Sequence, residues 1–347
     1  MTHLWVRAEG RPSEERVGLM PEGAAALIEA GMRVTVEQSA QRVVPIDGYS
    51  AAGCDIAPEH SWPDAPRDAI IFGLKELPDD GTALRHRHIM FGHAFKGQHS
   101  GRALLDRFRA GGGSLYDLEY LVDEDGRRVA AFGYWAGFVG AAVSLLAWAA
   151  QTRDATCAPV TTFADKTALL TFLAEKLGGI RPNAIVIGSR GRVGTGAADL
   201  CEAVGVAVTR WDMEETAHGG PFPEILAHDI FLNCILASPG TPVFVPRAVV
   251  DAPRDLSVIG DVACDPDSDY NPIPLYSAAT TWEVPVFRVA QDPPLDIMAI
   301  DNLPSLLPLE SSEDFAGQLL VSLQGLGDLD KGVWGRAGAV FRQHVEG

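Results

Sequence analysis

A lysine and a histidine stand just after two apolar, strand-like runs in the first third of the sequence. Lys75 follows residues 70–74, and His93 and Lys96 follow residues 89–91. A lysine where a strand meets a loop is partly desolvated, which lowers the pKa of an amine toward the range in which it can act as a base. Histidine exchanges protons near neutral pH, although a lone histidine in this position is more often a structural residue. The pattern predicts a centre for proton transfer.

A glycine-rich segment in the second half of the chain predicts a nucleotide site. The segment IVIGSRGRVGTGAADL, residues 185–200, has the spacing G-x-x-G-x-x-G between a predicted strand and a predicted helix. Backbone N–H groups at the start of such a helix can bind a pyrophosphate. The alternative is a glycine turn that serves only the close packing of strand and helix.

Asp212 supports the nucleotide interpretation and indicates which cofactor binds. It ends the next predicted strand, 24 residues after Gly188, where an acidic side chain accepts hydrogen bonds from the ribose hydroxyls of adenosine. Glu214 and Glu215 would repel a 2′-phosphate, whereas Arg210 would attract it. NAD is therefore predicted over NADP.

Arginines could supply positive charge for an anionic substrate. Arg16 lies in a predicted loop between the first strand and the first helix, and Arg127 and Arg128 precede an apolar run. A guanidinium can bind a carboxylate through two parallel hydrogen bonds. The alternative, which is more common for loop arginines, is a solvated side chain.

Neither a metal site nor a disulfide framework is indicated. His86 and His88 alternate with arginines, whose positive charge disfavours a metal cluster. The five cysteines are scattered, odd in number and without CxxC spacing. No metal and a reducing, cytoplasmic location are therefore expected.

The composition excludes several classes of partner. With 347 residues, 47% of them hydrophobic, the chain can form two domains with sizeable cores. A net charge of −18 repels nucleic acid and anionic membranes, so neither is expected as a partner. No signal peptide is expected, because no basic n-region and apolar h-region open the sequence. The uncharged run at residues 133–151 is long enough to span a bilayer, but its alanine and glycine content favours a buried helix.

Predicted strands and helices alternate in two successive units. In the first unit, strands are expected at residues 4–8, 33–37, 69–74, 89–91 and 114–118, and helices at 21–30 and 101–110. In the second unit, helices are expected at 133–151 and 162–177, and strands at 184–187, 207–211, 230–234 and 257–262. The chain ends in a helical pattern from residue 311 onward. The predicted fold class is α/β, with parallel sheets flanked by helices.

Eleven segments, in order over nearly the whole chain, resemble the NAD-dependent, lysine-forming saccharopine dehydrogenases. The most distinctive are GLKELP (residues 73–78), GRRVAAFG (126–133) and IDNLPSLLP (300–308). The others are WVRAE, EERVGL, HIMFGHAFKGQ, DLEYL, GRVGTGA, WDMEET, GGPF and NPIP. Such a series is far more specific than a single glycine motif.

The resemblance implies two Rossmann-like domains with an interdomain cleft, as in alanine dehydrogenase and the nucleotide-binding component of transhydrogenase. The catalytic domain would comprise residues 1–133 and 309–347, and the NAD-binding domain residues 134–308. The implied reaction is the oxidative cleavage of saccharopine by NAD and water to L-lysine and 2-oxoglutarate, and its reverse. These small molecules are the expected partners. The oligomeric state stays open, a monomer included.

The resemblance also implies roles for individual residues. Lys75 matches the base that takes the proton of the secondary amine, and His93 matches the acid–base group of imine hydrolysis. The supporting charges would be Glu76, Lys96 and Glu119, with Lys96 paired to Asp301. Positions that match substrate contacts are Arg16, Arg128, Phe132, Ala263, Cys264 and Asp265. Positions that match NAD contacts are Gln98, Arg127, Gly191, Arg192, Asp212, Thr216, Leu236, Val262, Ile300, Asp301, Asn302 and Leu303.

Some positions depart from the family pattern. The family stretch DVSAD reads DVACD here, so Ala263 removes a hydroxyl group near the substrate. Val193 replaces a cysteine that some members can pair with the one at the position of Cys234, so that disulfide is not expected. Gly92 and Ala94 replace slightly larger neighbours of the histidine. The substrate could therefore differ, for example by carrying another amine in place of lysine.

Two other functions are compatible with the sequence. An enzyme like alanine dehydrogenase would oxidise a primary amine and would need one carboxylate-binding arginine. A silent NAD-binding module would need neither Lys75 nor His93, so the presence of both favours an enzyme. The physiological direction of the reaction is not indicated.

Overall fold

The chain forms two compact units in a computed structural model that describes residues 1–95 and 99–346. Met1–Ala131 and Pro308–Gly347 make up the first unit, and Phe132–Leu307 makes up the second. The boundaries expected from the sequence, after residues 133 and 308, differ from these by two residues and one residue respectively.

Strands and helices alternate along most of both units. In chain order the elements are β1 His3–Val6, α1 Pro21–Glu29, β2 Arg33–Glu37, α2 Ile46–Ala51, β3 Asp55–Ala57, β4 Ile70–Phe72, β5 Arg87–Met90, α3 His99–Gly111, β6 Ser114–Asp117, α4 Gly133–Gln151, α5 Lys166–Leu177, β7 Asn183–Ile187, α6 Arg192–Ala203, β8 Ala207–Trp211, α7 Met213–Thr216, α8 Pro223–Leu226, β9 Ile230–Asn233, β10 Val258–Asp261, β11 Phe287–Gln291, β12 Pro294–Met298, α9 Pro308–Gln324 and α10 Gly332–Glu346.

The first unit is built on a six-stranded sheet in which all neighbouring strands are parallel. The strand order is β3-β2-β1-β4-β5-β6. The order reverses between β1 and β4, so the segments that follow these two strands lie side by side at the carboxyl edge of the sheet. In open α/β sheets this edge is where ligands bind.

The second unit has a six-stranded sheet of order β11-β12-β10-β9-β7-β8, which reverses between β7 and β9. The predicted parallel arrangement is confirmed for five strands, but β11 is antiparallel to β12. Two residues, 292 and 293, join β11 to β12, and so short a connection allows only an antiparallel pair. The antiparallel strand β11, which was not predicted, thus adds to the edge of a parallel sheet.

Most predicted elements form close to the expected residues. β2 and β8 have the expected bounds, and α3 begins two residues before and ends one residue after its expected range. The strands β3, β11 and β12 and the short helices α2, α7 and α8 were not predicted. β3 is three residues long and two of them are exposed, so it carries too little apolar pattern to be recognised.

Helix α4 is the long apolar helix of the second unit. Among the described residues it is the one helix long and apolar enough to cross a membrane, and 67% of that stretch is buried. It packs closely against α6. A Cβ atom at Gly137 would lie 1.8 Å from the carbonyl oxygen of Val193, and one at Gly196 would lie 1.9 Å from that of Tyr134. Packing of the helix within its unit therefore accounts for its apolar sequence.

The core of the first unit contains a buried histidine, His88 on β5. Its ring lies edge-on to Trp62 and Phe108, with ring centroids 5.2 and 5.4 Å away. Within residues 1–95 and 99–346, neither ring nitrogen has a hydrogen-bond partner. Burial, helped by the positive charge of Arg7, holds the pKa of His88 well below its ordinary value. The imidazole of His88 is therefore neutral in the folded chain.

Replacing His88 with leucine should flatten the acid side of the stability profile. The unfolded chain takes up a proton at His88 below about pH 6.5, whereas the folded chain does not, so the free energy of unfolding falls as the pH is lowered below that point. Chemical unfolding between pH 7.5 and 5.5 should show a slope that is shallower by up to about 1.4 kcal/mol per pH unit in His88→Leu. His60→Asn, at an exposed histidine, should keep the wild-type slope. Equal slopes in all three proteins would contradict the neutral state of His88.

Candidate active site

Lys75 lies at the carboxyl edge of the first sheet, where the strand order reverses. It follows β4 by three residues and its side chain is half-buried. The segment after β1 runs alongside, because β1 and β4 are paired. This segment carries Arg11, Glu14 and Arg16, so the charged residues that surround Lys75 come from a part of the chain about sixty residues away.

Glu14 and Arg16 form a buried ion pair in this region. The Arg16 guanidinium donates from Nε and Nη2 to the two carboxylate oxygens of Glu14, at 2.7 and 2.6 Å. Arg16 is 4% exposed, so the alternative of a solvated loop arginine is wrong. Burial acts to raise the pKa of Glu14, but the positive charges of Arg16 and Lys75 outweigh it and lower the pKa. The Lys75 amine therefore lies close enough to influence this carboxylate.

Glu76 and Arg11 form a second ion pair next to Lys75. Arg11 donates from Nε and Nη2 to one carboxylate oxygen of Glu76, at 2.6 and 2.5 Å, and both side chains are partly exposed. Burial acts to raise the pKa of Glu76, whereas its own backbone N–H, Arg11 and Lys75 lower it overall. Glu14 and Glu76, two of the carboxylates near Lys75, thus each have an arginine partner. No role was predicted for Arg11 from the sequence.

His93 follows β5 and faces the 3-10 helix Leu118–Tyr120. Its Nδ1 atom lies 3.8 Å from a carboxylate oxygen of Glu119, and its side chain is 55% exposed. The residue has φ of +48°, in the left-handed region that non-glycine residues seldom adopt. Such a conformation costs free energy and is often found at functional sites.

Asp117 connects the turn of His93 to the turn of Glu119. Its buried carboxylate accepts the backbone N–H of Gly92 at 3.2 Å and that of Glu119 at 2.9 Å. Burial raises the pKa of Asp117 to about 6. Sequence reasoning missed this residue. A sequence signal for it was available, because Asp117 is the last residue of β6. Asp212, which was predicted, likewise comes directly after β8 in the second unit.

A cavity of about 280 Å³ in the first unit is lined by some of these groups, whereas Lys75, Arg16 and Asp117 are not among its lining residues. Its lining includes His93, Glu76 and Arg11, together with Ser100 and Arg107. The walls of the cavity therefore carry a histidine, two carboxylates (Glu76 and Asp79) and two guanidinium groups. A polar molecule of amino-acid size fits this chemistry.

Several residues of the first unit that were predicted to belong to the site either do not line this cavity or lie outside the residues that the structure describes. Arg127 and Arg128 are exposed in the turn that follows Val122, and the backbone N–H of Arg127 donates to Asp123 at 2.9 Å. Lys96 and Gln98 lie outside the described residues. Their expected roles, including an ion pair of Lys96 with Asp301, stay predictions.

The glycine loop of the second unit connects β7 to α6. Gly188 has φ of +88°, and the backbone N–H groups of Gly188 and Ser189 both donate to the Trp211 carbonyl oxygen at 3.0 Å. A Cβ atom at Gly194 would lie 2.1 Å from the Gly188 carbonyl oxygen. Gly188 is thus required for the turn and Gly194 for close packing, while a Cβ atom at Gly191 would meet only one atom, at 3.4 Å.

The start of α6 fits the pyrophosphate of a dinucleotide. Gly191 is its N-cap, and within the described part of the chain no side chain caps this end. Backbone N–H groups point outward at this end, and the helix dipole favours negative charge there. The two interpretations of this loop, close packing and nucleotide binding, are compatible, because different glycines would serve each.

Asp212 follows β8 beside the glycine loop. One carboxylate oxygen accepts the backbone N–H of Arg190 at 3.0 Å, and the other accepts that of Met213 at 2.9 Å. The hydroxyl of Thr216 donates to the Asp212 carbonyl oxygen at 3.1 Å. Each carboxylate oxygen has a second lone pair. The residue can therefore accept a ribose hydroxyl without giving up the contacts that position it.

The remaining predicted nucleotide contacts have varied environments. Leu236 is 75% exposed after β9, at the point where the strand order reverses. Ile300 and Leu303 are buried in the core of the second unit, and Asp301 and Asn302 between them are more accessible. Val262 packs next to Gly140 of α4. Arg192 is the first residue of α6.

The predicted substrate residues of the second unit follow β10, apart from Phe132, which is the N-cap of α4. Cys264 has φ of +48°, and its thiol donates to the Ala299 carbonyl oxygen at 3.0 Å. Burial raises the pKa of Cys264 to about 12, so the thiol stays protonated. Ala263 and Asp265 flank it and are partly or fully accessible.

Asp261 holds this turn in place. It accepts hydrogen bonds from the hydroxyl of Tyr276 at 2.6 Å, from the side-chain amide of Asn233 at 2.9 Å and from the Cys264 backbone at 3.3 Å. Burial raises the pKa of Asp261. Among the described residues no group of three or more histidine, cysteine, aspartate or glutamate side chains could hold a metal ion.

Comparison with known proteins gives consistent matches. The family model "Alanine dehydrogenase/PNT, N-terminal domain" matches residues 5–139. Saccharopine dehydrogenase (NAD(+), L-lysine-forming) of Schizosaccharomyces pombe is 44% identical over 99% of this chain and 98% of its own length. The enzyme of the same name from Neurospora crassa is 44% identical over 99% of this chain and 96% of its own length.

A solved structure supports the fold. An L-alanine dehydrogenase is 17% identical, covers 99% of this chain and 94% of its own, and has a TM-score of 0.70. At this identity the likeness concerns the fold alone. The identity to the two fungal proteins is much higher and spans the full length of both chains. This chain therefore belongs to the family of NAD-dependent, lysine-forming saccharopine dehydrogenases.

Proposed function

We propose that this chain catalyses the oxidative cleavage of saccharopine by NAD and water to L-lysine and 2-oxoglutarate, and the reverse reaction. The observation that carries the proposal is the 44% identity to saccharopine dehydrogenases over 99% of the chain. The arrangement of charged groups around Lys75 and His93 supports it, because the reaction needs two separate proton transfers. No metal is invoked.

Lys75 is the proposed base for the secondary amine of saccharopine. Bound NAD supplies the acceptor for the hydride that leaves the neighbouring carbon. The amine loses its proton as the imine forms, and a neutral lysine can take that proton. The carboxylates of Glu14 and Glu76 lie near Lys75, and each is paired with an arginine. Their negative charge is thereby largely balanced, which favours a neutral amine more than two unpaired carboxylates would.

His93 is the proposed acid–base group for hydrolysis of the imine. A water proton must be removed as the carbon–oxygen bond forms, and the lysine nitrogen must be protonated as the carbon–nitrogen bond breaks. An exposed imidazole on the cavity wall can do both. Glu119, 3.8 Å from Nδ1, can orient the ring.

Arginines are proposed to bind the substrate carboxylates. Saccharopine carries three carboxylates, which the overall charge of −18 would repel. Arg16 and Arg128 are the proposed binding residues, together with Phe132 and residues 263–265. Ala263 has no hydroxyl to offer, so this stretch can bind substrate through its backbone or through Asp265.

The second unit is proposed to hold NAD through the start of α6 and through Asp212. Gly191 and Arg192 would meet the pyrophosphate, and Asp212 the adenosine ribose. Arg127, Thr216, Leu236, Val262 and residues 300–303 are proposed as further contacts. We also propose a cytoplasmic location, since all five cysteines are free.

Replacing Lys75 with methionine and His93 with glutamine should impair different steps. With NADH, 2-oxoglutarate and lysine, Lys75→Met should lower kcat about 100- to 10,000-fold, because the hydride step loses its proton-transfer group. With NADH deuterated at the transferred position, this variant should show a full primary isotope effect. In His93→Gln, imine formation becomes limiting, so the isotope effect should fall toward one.

Lys331→Met and His60→Gln change exposed residues of the same types and serve as controls. Both should keep the wild-type rate and isotope effect. Wild-type rates across the pH range in Lys75→Met and His93→Gln would contradict the assigned roles. Oxidation of NADH with ammonia and pyruvate, but not with lysine and 2-oxoglutarate, would contradict the proposed substrate.

Replacing Asp212 with asparagine should reduce the preference for NAD over NADP. Asparagine cannot provide the anionic acceptor for the ribose hydroxyls and does not repel a 2′-phosphate. The ratio of kcat/KM for NADH to that for NADPH should fall about 10- to 100-fold. Asp229→Asn is a matched control, since Asp229 accepts a backbone N–H of Asn183 at 2.8 Å at the opposite edge of the same sheet. An unchanged ratio in Asp212→Asn would contradict the role of Asp212.

A further inference from the structure

A buried ion pair, Arg7 and Glu9, lies at the end of β1 in the first unit. The two side chains are 3% and 9% exposed, and Arg7 Nη1 lies 3.3 Å from Glu9 Oε2. Neither residue has a role in the function proposed above. Taking two ions out of water is strongly unfavourable unless other groups compensate them. The contacts that compensate this pair therefore indicate what it is for.

The pair binds the backbone on both sides of Lys75. Glu9 accepts the backbone N–H of Leu74 at 2.6 Å through Oε1 and that of Lys75 at 3.0 Å through Oε2. Arg7 donates from Nη2 to the carbonyl oxygen of Lys75. Both backbone polar groups of Lys75 are thus bound by one ion pair. The Leu74 carbonyl oxygen is bound as well, by the N–H of Phe91 at 3.0 Å.

Gly73 makes room for this arrangement. A Cβ atom at this position would lie 2.4 Å from Nε and 2.5 Å from Cζ of Arg7. The guanidinium therefore passes directly against the backbone that leads into Lys75. Within the described residues Arg7 Nε has no hydrogen-bond partner, so the side chain is held at this place by its Nη atoms and by packing.

We propose that Arg7 and Glu9 are positioning residues for Lys75. They touch the backbone of the proposed base and fix the place from which its amine reaches the substrate. A lysine side chain has four rotatable bonds, so the position and direction of its Cα–Cβ bond are what the fold can control. A small displacement of a proton-transfer group lowers the rate of the chemical step without weakening substrate binding to the same extent. This inference rests on the proposed role of Lys75.

The proposal can be tested with Glu9→Gln in the full chain. Glutamine keeps the shape but has one acceptor atom, so it cannot bind both N–H groups and the Arg7 charge. With NADH, lysine and 2-oxoglutarate, kcat should fall about 10- to 100-fold while the KM values stay within about threefold of wild type. In the Lys75→Met background, the same substitution should lower kcat by no more than about twofold, because the group that it positions is absent.

Asp296→Asn is the control for loss of a buried ion pair. Asp296 is fully buried, pairs with Arg288 and lies in the second unit. The substitution Asp296→Asn should lower the free energy of unfolding and leave kcat of the folded protein unchanged. Arg7→Lys is the second variant, for use if Glu9→Gln does not fold. It keeps the charge but loses the planar fork that reaches the Lys75 carbonyl, and it should show the same loss of kcat and the same dependence on Lys75.

The outcomes separate this proposal from the proposed function. A wild-type rate in Lys75→Met would show that Lys75 is not the base, and this would contradict the positioning role of Arg7 and Glu9 as well. Suppose that kcat is low in Lys75→Met and that Glu9→Gln lowers kcat by the same factor in the wild-type and Lys75→Met backgrounds. This result would be consistent with Lys75 as the base and would contradict the positioning role alone. A loss of kcat in Asp296→Asn as large as that in Glu9→Gln would also overturn it, since the effect would then be one of general destabilisation.

Discussion

The first site depends on ionised side chains that are kept out of water where β1 and β4 end side by side. Arg7 with Glu9, and Glu14 with Arg16, are nearly inaccessible. Buried charges are tolerated only when they are paired and hydrogen-bonded, and removing one partner is strongly destabilising. The segments after β1 and β4 therefore cannot move independently, since each holds groups that the other must satisfy. The same constraint that stabilises the pairs also fixes the backbone of Lys75.

The same reversal of strand order serves different chemistry in the second unit. There the segment after β7 carries glycines in place of buried ions, and Gly188 and Gly194 allow the chain to turn tightly against the start of α6. A dinucleotide offers phosphates and ribose hydroxyls, which backbone N–H groups and one carboxylate can bind. Proton transfer needs side chains that titrate. In the proposed function, the carboxyl edges of two similar sheets thus supply cofactor binding in one unit and acid–base groups in the other.

Sequence reasoning located Lys75, His93, the glycine loop and Asp212 because their signals are local: a functional residue comes directly after an apolar run. The α/β class followed from the alternation of elements. Arg7 and Glu9 were missed because the groups that they bind lie 68 and 65 residues away, and only the strand order brings them together. The edge strand β3 was missed because it is short and mostly exposed.

The chemistry is divided between arginine and lysine. Of 28 basic residues only five are lysines, and the partners of the carboxylates around the site, Arg7, Arg11 and Arg16, are arginines. A guanidinium remains protonated in proteins and binds a carboxylate in fixed geometry, so it sets a charge that does not change with pH. An arginine at position 75 could balance the nearby carboxylates but could not accept a proton at neutral pH. Because the surrounding arginines do not titrate, Lys75 is the group proposed to take the proton of the substrate amine, and it is the residue whose backbone N–H and carbonyl oxygen the fold binds.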